Sequence, residues 1–226
     1  MFLAAIPSLC FNRGMHQWWQ KMRRAFAPGA EPNRSQGDDK PSTLHSLDEA
    51  GSYLAKVTGK PLRLFSTRDF GREKFSGARS VLVDESETEP LLGEIRSRLG
   101  PGLIAFIGTR TSHAQPRPTG VELVIGSGTN QFDILRIAAS DAVNFGKGTA
   151  DLVKQIQAWD AAYGVDIFQA ETDTIQLRLT KIPAELIKFA GEVYAFCPDI
   201  VDQGVGSVDD LAEEIRATGK LLLWWD

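Results

Sequence analysis

Cys197, Asp199 and Asp202, within the stretch FCPDIVDQGVG, are the residues of this chain whose types and spacing invite chemistry. A thiol beside two carboxylates can serve nucleophilic or acid–base catalysis if a base or a positive helix end activates the sulfur. Pro198 disfavours helical dihedrals at Cys197, so the helix written in PAELIKFAGEVYAF stops there and leaves the sulfur at its negative, carboxyl end. A thiolate is destabilised at that end, and the expectation is a buried thiol at a helix cap. Asp199 and Asp202 have no histidine near them in sequence, a weak basis for a metal or acid–base pair. Asp199 is expected to accept hydrogen bonds from a turn, with Gln203-Gly204-Val205-Gly206 reversing the chain before Ser207 caps the next helix.

Other catalytic arrangements find little material. Of the three histidines, only His113 falls within the expected domain, in the polar loop TRTSHAQPRPTG, and no Gly-x-Ser-x-Gly elbow exists. FGKGTAD lacks the upstream glycine of a phosphate loop and has Gly148 directly after Lys147. VIGSGTN follows a strand but precedes QFDILRIA, which also reads as a strand, so a dinucleotide turn is not indicated. Asn144, in the loop ahead of a helix start, is a candidate ligand contact. In LLLWWD the adjacent tryptophans point to opposite faces of a strand and cannot share one aromatic cage. One or both are expected to pack under helices, and Trp225, if exposed beside Asp226 and the DQGVG loop, would instead anchor a partner. The candidate ligand or partner contacts are therefore Asn144, Asp199, Asp202, Gln203, Trp225 and Asp226. No residue takes a catalytic role, and neither a metal nor a cofactor is called for.

The elements that must position these residues sit in a chain of 226 residues, 42% hydrophobic and 24% charged, with a net charge of −4. That charge gives no general attraction to nucleic acid. Cys10 and Cys197 lie far apart, which excludes a disulfide framework or a cysteine-rich zinc site and suits a reducing compartment. MFLAAIPSLCFNRG has no positive charge before its apolar stretch, which Pro7 breaks, so it does not read as a secretory signal. No run reaches the roughly 20 apolar residues of a membrane span; a cytoplasmic protein is expected. MHQWWQKMRRAFA can form a short helix with an aromatic side, and the polar segment after it buries almost nothing. Residues 1–45 are thus expected to be an arm and disordered linker, and 46–226 a domain. Membrane contact, if any, falls to the arm.

Within the domain, helices are expected from Ser46, from Pro90, over TADLVKQIQAWDAAYG, from Pro183 and after Ser207. Strands are expected at LRLFST, SVLVD, GLIAFIGT, GVELVIGS, FDILRIA, VDIFQAET, TIQLRLT and KLLLWWD, with GVELVIGS and FDILRIA forming an antiparallel pair. Several strands are joined by turns too short for a right-handed crossover. The fold class is α+β: a mixed, largely antiparallel sheet flanked by helices in a single main domain.

The words DILRIAASDAVNFGKGTADLVKQIQAWDAAYGVDI, VYAFCPDIVDQGVGSVDDLAEEI and LLLWWD, in that order, resemble a bacterial family known only as domain of unknown function 4253, over about residues 100–226. Phe145 stands where that pattern would have a tyrosine. The resemblance implies a bacterial cytosolic domain with no established activity and no catalytic residues to carry over. With the mildly acidic balance, a non-enzymatic protein-interaction module is expected, and analogy with other small acidic bacterial domains suggests an immunity-type partner as one form of it. The alternative is a small-molecule-binding or hydrolytic enzyme whose carboxylates meet in a cleft near FCPD and DQGVG.

Overall fold

A computed structural model describes residues 43–66, 75–110 and 119–226, so the expected arm, its membrane-facing helix and His113 lie outside the described residues. In chain order the described elements are α1 (Leu47–Thr58), β1 (Arg63–Ser66), β2 (Phe75–Val83), α2 (Glu85–Arg96), β3 (Leu103–Ile107), β4 (Val121–Ser127), α3 (Asp133–Ala138), α4 (Thr149–Tyr163), β5 (Val165–Ala170), β6 (Thr174–Leu179), α5 (Leu186–Phe196), α6 (Val208–Thr218) and β7 (Lys220–Trp224). A 3-10 turn at Val143–Phe145 and a π-helical turn at Ile200–Val205 complete the set.

The caps are those the sequence announces. Ser46 and Glu49 close a reciprocal capping box on α1, and the Ser207 hydroxyl accepts from the Asp210 amide at 3.0 Å to start α6.

The strands form one sheet in the order β1-β2-β4-β3-β5-β6-β7. Every neighbouring pair is antiparallel except β3 and β5, which run parallel. This is the expected α+β, largely antiparallel architecture. Side chains alternate between two faces. Val81, Val83, Ala105, Ile107, Leu123 and Ile125 pack under α1 and α2, while Phe106, Val124, Ile167, Leu177 and Leu223 pack under α3–α6. β3, apolar on both faces, lies inside the sheet as expected, and β7, also apolar on both faces, is a covered edge strand.

Two expectations are corrected. DILRIA is the helix α3, not a strand, and β4 pairs with β2 and β3 instead. Ile134, Leu135 and Ala138 are buried, the spacing of a helical face, and a six-residue apolar run fits either period when read alone. Helix α2 begins at Glu85, a turn and a half before Pro90. The amide that Pro90 lacks would have met the carbonyl of Ser86, which is solvent-exposed, so the proline is tolerated there.

The β3–β5 seam is held largely by side chains. The strands share a single bridge, Ile107 with Gln169. Below it, Arg96 of α2 donates from Nε to the Ala105 carbonyl at 2.8 Å, from Nη2 to the Ile167 carbonyl at 2.6 Å and from Nη1 to Asp166 Oδ1 at 2.6 Å. Gln131 continues the seam, donating to the Val165 carbonyl at 2.8 Å and accepting from the Ile167 amide at 2.9 Å. Arg96→Met, which keeps the stem and orphans both carbonyls, is expected to cost about 2–3 kcal/mol in urea unfolding after allowance for partial exposure. Arg96→Lys should recover little of this, because a single ammonium cannot reach three divergent acceptors.

Candidate functional site

The residues of FCPD are bound to the residues of WWD one by one. Cys197 follows the last turn of α5 and is fully buried. Its Sγ donates to the Trp224 carbonyl at 3.0 Å and accepts from the Trp224 amide at 3.3 Å, so one thiol pairs both main-chain groups of an edge-strand residue. Asp199 Oδ2 accepts from the Asp226 amide at 2.9 Å and Oδ1 from Gln203 Nε2 at 3.1 Å. Pro198 contributes its carbonyl to the amides of Val201 and Asp202, which starts the π-helical turn, and Gly206, at φ 99°, supplies the left-handed conformation that ends it. Phe196 stacks edge-to-face on Trp225 and on Trp159 of α4.

Burial pushes the Cys197 thiol up to about 12, and the nearby Asp199 carboxylate pushes the same way. Lys147 lies close enough to oppose this, but its ammonium sits 5.5 Å from the ring centres of both Phe145 and Phe196. Cys197 is thus a capping group with no thiolate at physiological pH. In a Cys10→Ser background Cys197 is expected to resist thiol reagents until denaturant is added. Cys197→Ala, which removes the thiol's bonds to the Trp224 amide and carbonyl and leaves a small void, should cost about 2 kcal/mol by chemical denaturation.

Beside this joint lies a pocket of about 200 Å³, lined by Asp141, Ala142, Val143, Asn144, Thr172, Asp173, Trp225 and Asp226. At roughly 30 Å³ per water it holds about six waters, or one small polar group with a short alkyl stem. Among the described residues its lining includes three aspartates and no lysine or arginine. Its walls come from three separate places in the chain. Ala139, the one described non-glycine residue at positive φ (53°), turns the chain out of α3. The Ser140 hydroxyl then donates to the Glu171 carbonyl at 2.5 Å and the Asp141 amide to the Thr172 carbonyl at 2.8 Å, tying this segment to the β5–β6 turn. The Trp225 amide donates to the Asp173 carbonyl at 3.1 Å, which brings in the third wall.

Of the residues singled out from sequence, Asn144, Trp225 and Asp226 meet in this pocket. Asp199 supports it from behind through the Asp226 amide, with Gln203 as its second partner. Asp202 is turned away and accepts from the Tyr194 hydroxyl at 3.0 Å. Asp141, Ala142, Val143, Thr172 and Asp173 are the lining residues that sequence reasoning missed. They belong to two polar turns about 30 residues apart, and no spacing rule links them. Among the described residues no group of three or more histidines, cysteines or carboxylates is placed to hold a metal ion, and no helix is long and apolar enough to cross a membrane.

The structure thus defines an α+β domain in which FCPD and WWD lock together beside an acidic pocket. Residues 122–226 match the family described as Domain of unknown function (DUF4253). The match begins at β4, some twenty residues later than the resemblance in the sequence suggests. No curated protein and no solved structure matches the chain.

Proposed function

We propose that this protein is a non-enzymatic interaction module that meets its partner through the pocket face. The observation that carries the reading is Val143, 65% exposed on the pocket rim beside Asn144, an apolar residue held up to solvent next to an acidic recess. A rim of this kind suits a partner that covers the valine and brings positive charge. Support also comes from the use made of the groups best suited to catalysis, since Cys197, Asp199 and Asp202 each hold another part of the fold.

The test compares proteins retained from the native host by the immobilised full-length chain and by Val143→Arg. Val143 is largely exposed, so the variant should unfold like the parent. A basic protein retained by the parent and lost on Val143→Arg supports the reading, and a toxin encoded beside this gene would give it the immunity form. Identical retention by both chains overturns it.

A further inference from the structure

We infer that the open edge of β1 is a docking site for an extended segment of another protein, alternating apolar and acidic residues, which adds to the sheet as a further strand. This surface goes beyond the interaction reading above, since β1 and β7 are opposite edges of the sheet and the pocket lies just past β7. The two edges differ in how their main-chain groups are met. At β7 the Cys197 thiol pairs the amide and carbonyl of Trp224, and Asp199 takes the Asp226 amide. At β1 the direction of each residue follows from alternation across the antiparallel ladders. The Glu122 amide and carbonyl bond Thr109 and Gly108 on the β3 side, so Leu123 and Ile125 turn towards β2. Arg79, opposite Ile125, therefore turns towards β4, and its neighbour Ser80 towards β1. Arg63 completes that pair, which leaves the amide and carbonyl of Leu64 pointing out of the sheet, where no hydrogen bond reaches them among the described residues.

The same residue holds an apolar side chain up to solvent: Leu64 is 60% exposed, and Leu62, on the same face, 41%. An open edge and an uncovered apolar pair thus coincide. Charge selects the occupant. Lys60 is exposed with no ion pair among the described residues, and Arg79, the cross-strand partner of Leu64, donates to the carbonyls of Gly77 and Ala78 but to no carboxylate. Arg63, on the other face, stands 4.0 Å from Glu122, at the limit of an ion pair. A second copy pairing edge to edge would set these cations against their own counterparts, which destabilises such a pair. A segment with a period of two meets both needs, its apolar side chains covering Leu62 and Leu64 and its carboxylates turned towards Arg63.

The experiment is an amide NMR titration of the full-length protein with end-capped peptides: one alternating valine and glutamate, one with glutamine for glutamate, and two forms of the first N-methylated at only the valines or only the glutamates. Saturable shifts at Leu62, Leu64 and Phe65 are expected with the acidic peptide, and hydrogen exchange of the Leu64 amide should slow about tenfold or more in the complex. The glutamine peptide should bind roughly tenfold more weakly, the effect of about two surface ion pairs. One methylated form should bind and the other not, because only alternate amides of an added strand face β1; loss with methylated valines marks antiparallel addition, and loss with methylated glutamates parallel addition. No saturation, or equal behaviour of the two methylated forms, overturns strand addition. Equal affinity for the glutamate and glutamine peptides overturns the acidic occupant. A Leu64 amide already protected in a free protein that sediments as a dimer overturns it in favour of a second copy. The Val143→Arg comparison reads the opposite edge of the sheet and stands or falls separately.

Discussion

A chain beginning at Glu122 is expected not to fold, although the family match covers it from that residue onward. The reason is topological. β4 and β5 both lie inside the matched region, but the strand between them in the sheet is β3, at Leu103–Ile107, which lies outside it. Removing β3 exposes the inner edges of β4 and β5 together and strips Phe106 and Ile107, both fully buried, from the two opposite cores. Those two side chains alone stand for about 4 kcal/mol of burial, against a net stability of roughly 5–15 kcal/mol for a typical domain. The same cut removes Arg96, whose guanidinium satisfies the Ile167 carbonyl, and the helices α1 and α2 that cover one face. Circular dichroism and amide dispersion should show a chain without a cooperative thermal transition, prone to aggregate through its open edges. A sharp, reversible melt of residues 122–226 would require β4 and β5 to pair directly, and the seam described above would then be wrong.

The contrast between what was legible in the sequence and what was not follows the range of the interactions. The capping box at Ser46, the stop at Gly164 and the cap at Ser207 are local hydrogen-bond chemistry, and the alternation in TIQLRL is a local period; each appears where expected. DILRIA fails because six apolar-rich residues satisfy a strand and a helix equally, and only the flanking turn at Thr129–Gln131, pinned by Asp133 Oδ2 accepting from the Thr129 amide at 2.7 Å, decides it. Arg96 and Gln131 look like ordinary surface residues in sequence; their role depends on two strands, distant along the chain, that stop pairing just where these side chains reach. The pocket is intermediate. Trp225 and Asp226 could be named because they follow the last strand, where side chains are free of the ladder, and Asn144 because it stands ahead of a helix start. Asp141, Thr172 and Asp173 could not, since what joins them is the left-handed turn at Ala139 and two main-chain bonds from Ser140 and Asp141.

Glu171, one residue before the pocket wall, is expected to make the stability of this protein fall as pH rises. Burial of its carboxyl pushes it up to about 8, and the negative charge of Asp173 adds to the effect; the Arg110 amide at 3.3 Å, the Arg110 charge and Gln169 Nε2 at 2.9 Å oppose it. An unfolded chain releases this proton near 4.5, the folded chain only near 8. Between those values the folded state binds more protons at this group, so the contribution of Glu171 to stability is greatest below about 4.5, declines through the window and is level above about 8. A shift of this size corresponds to a loss of the order of 4 kcal/mol across the window. Glu171→Gln keeps an oxygen to accept from Arg110 and Gln169 and replaces the acid proton with amide protons, so it should match the parent near pH 4 and exceed its stability by several kcal/mol at pH 8. Glu122, whose burial pushes it in the same direction, is common to both chains and cancels in the comparison. Urea unfolding of the two chains at a series of pH values measures the difference directly. Parallel curves would mean that Glu171 ionises in the folded protein as it does in the unfolded chain, with water or a cation reaching its carboxylate, and the β5–β6 turn would then be open on the side where Arg110 closes it.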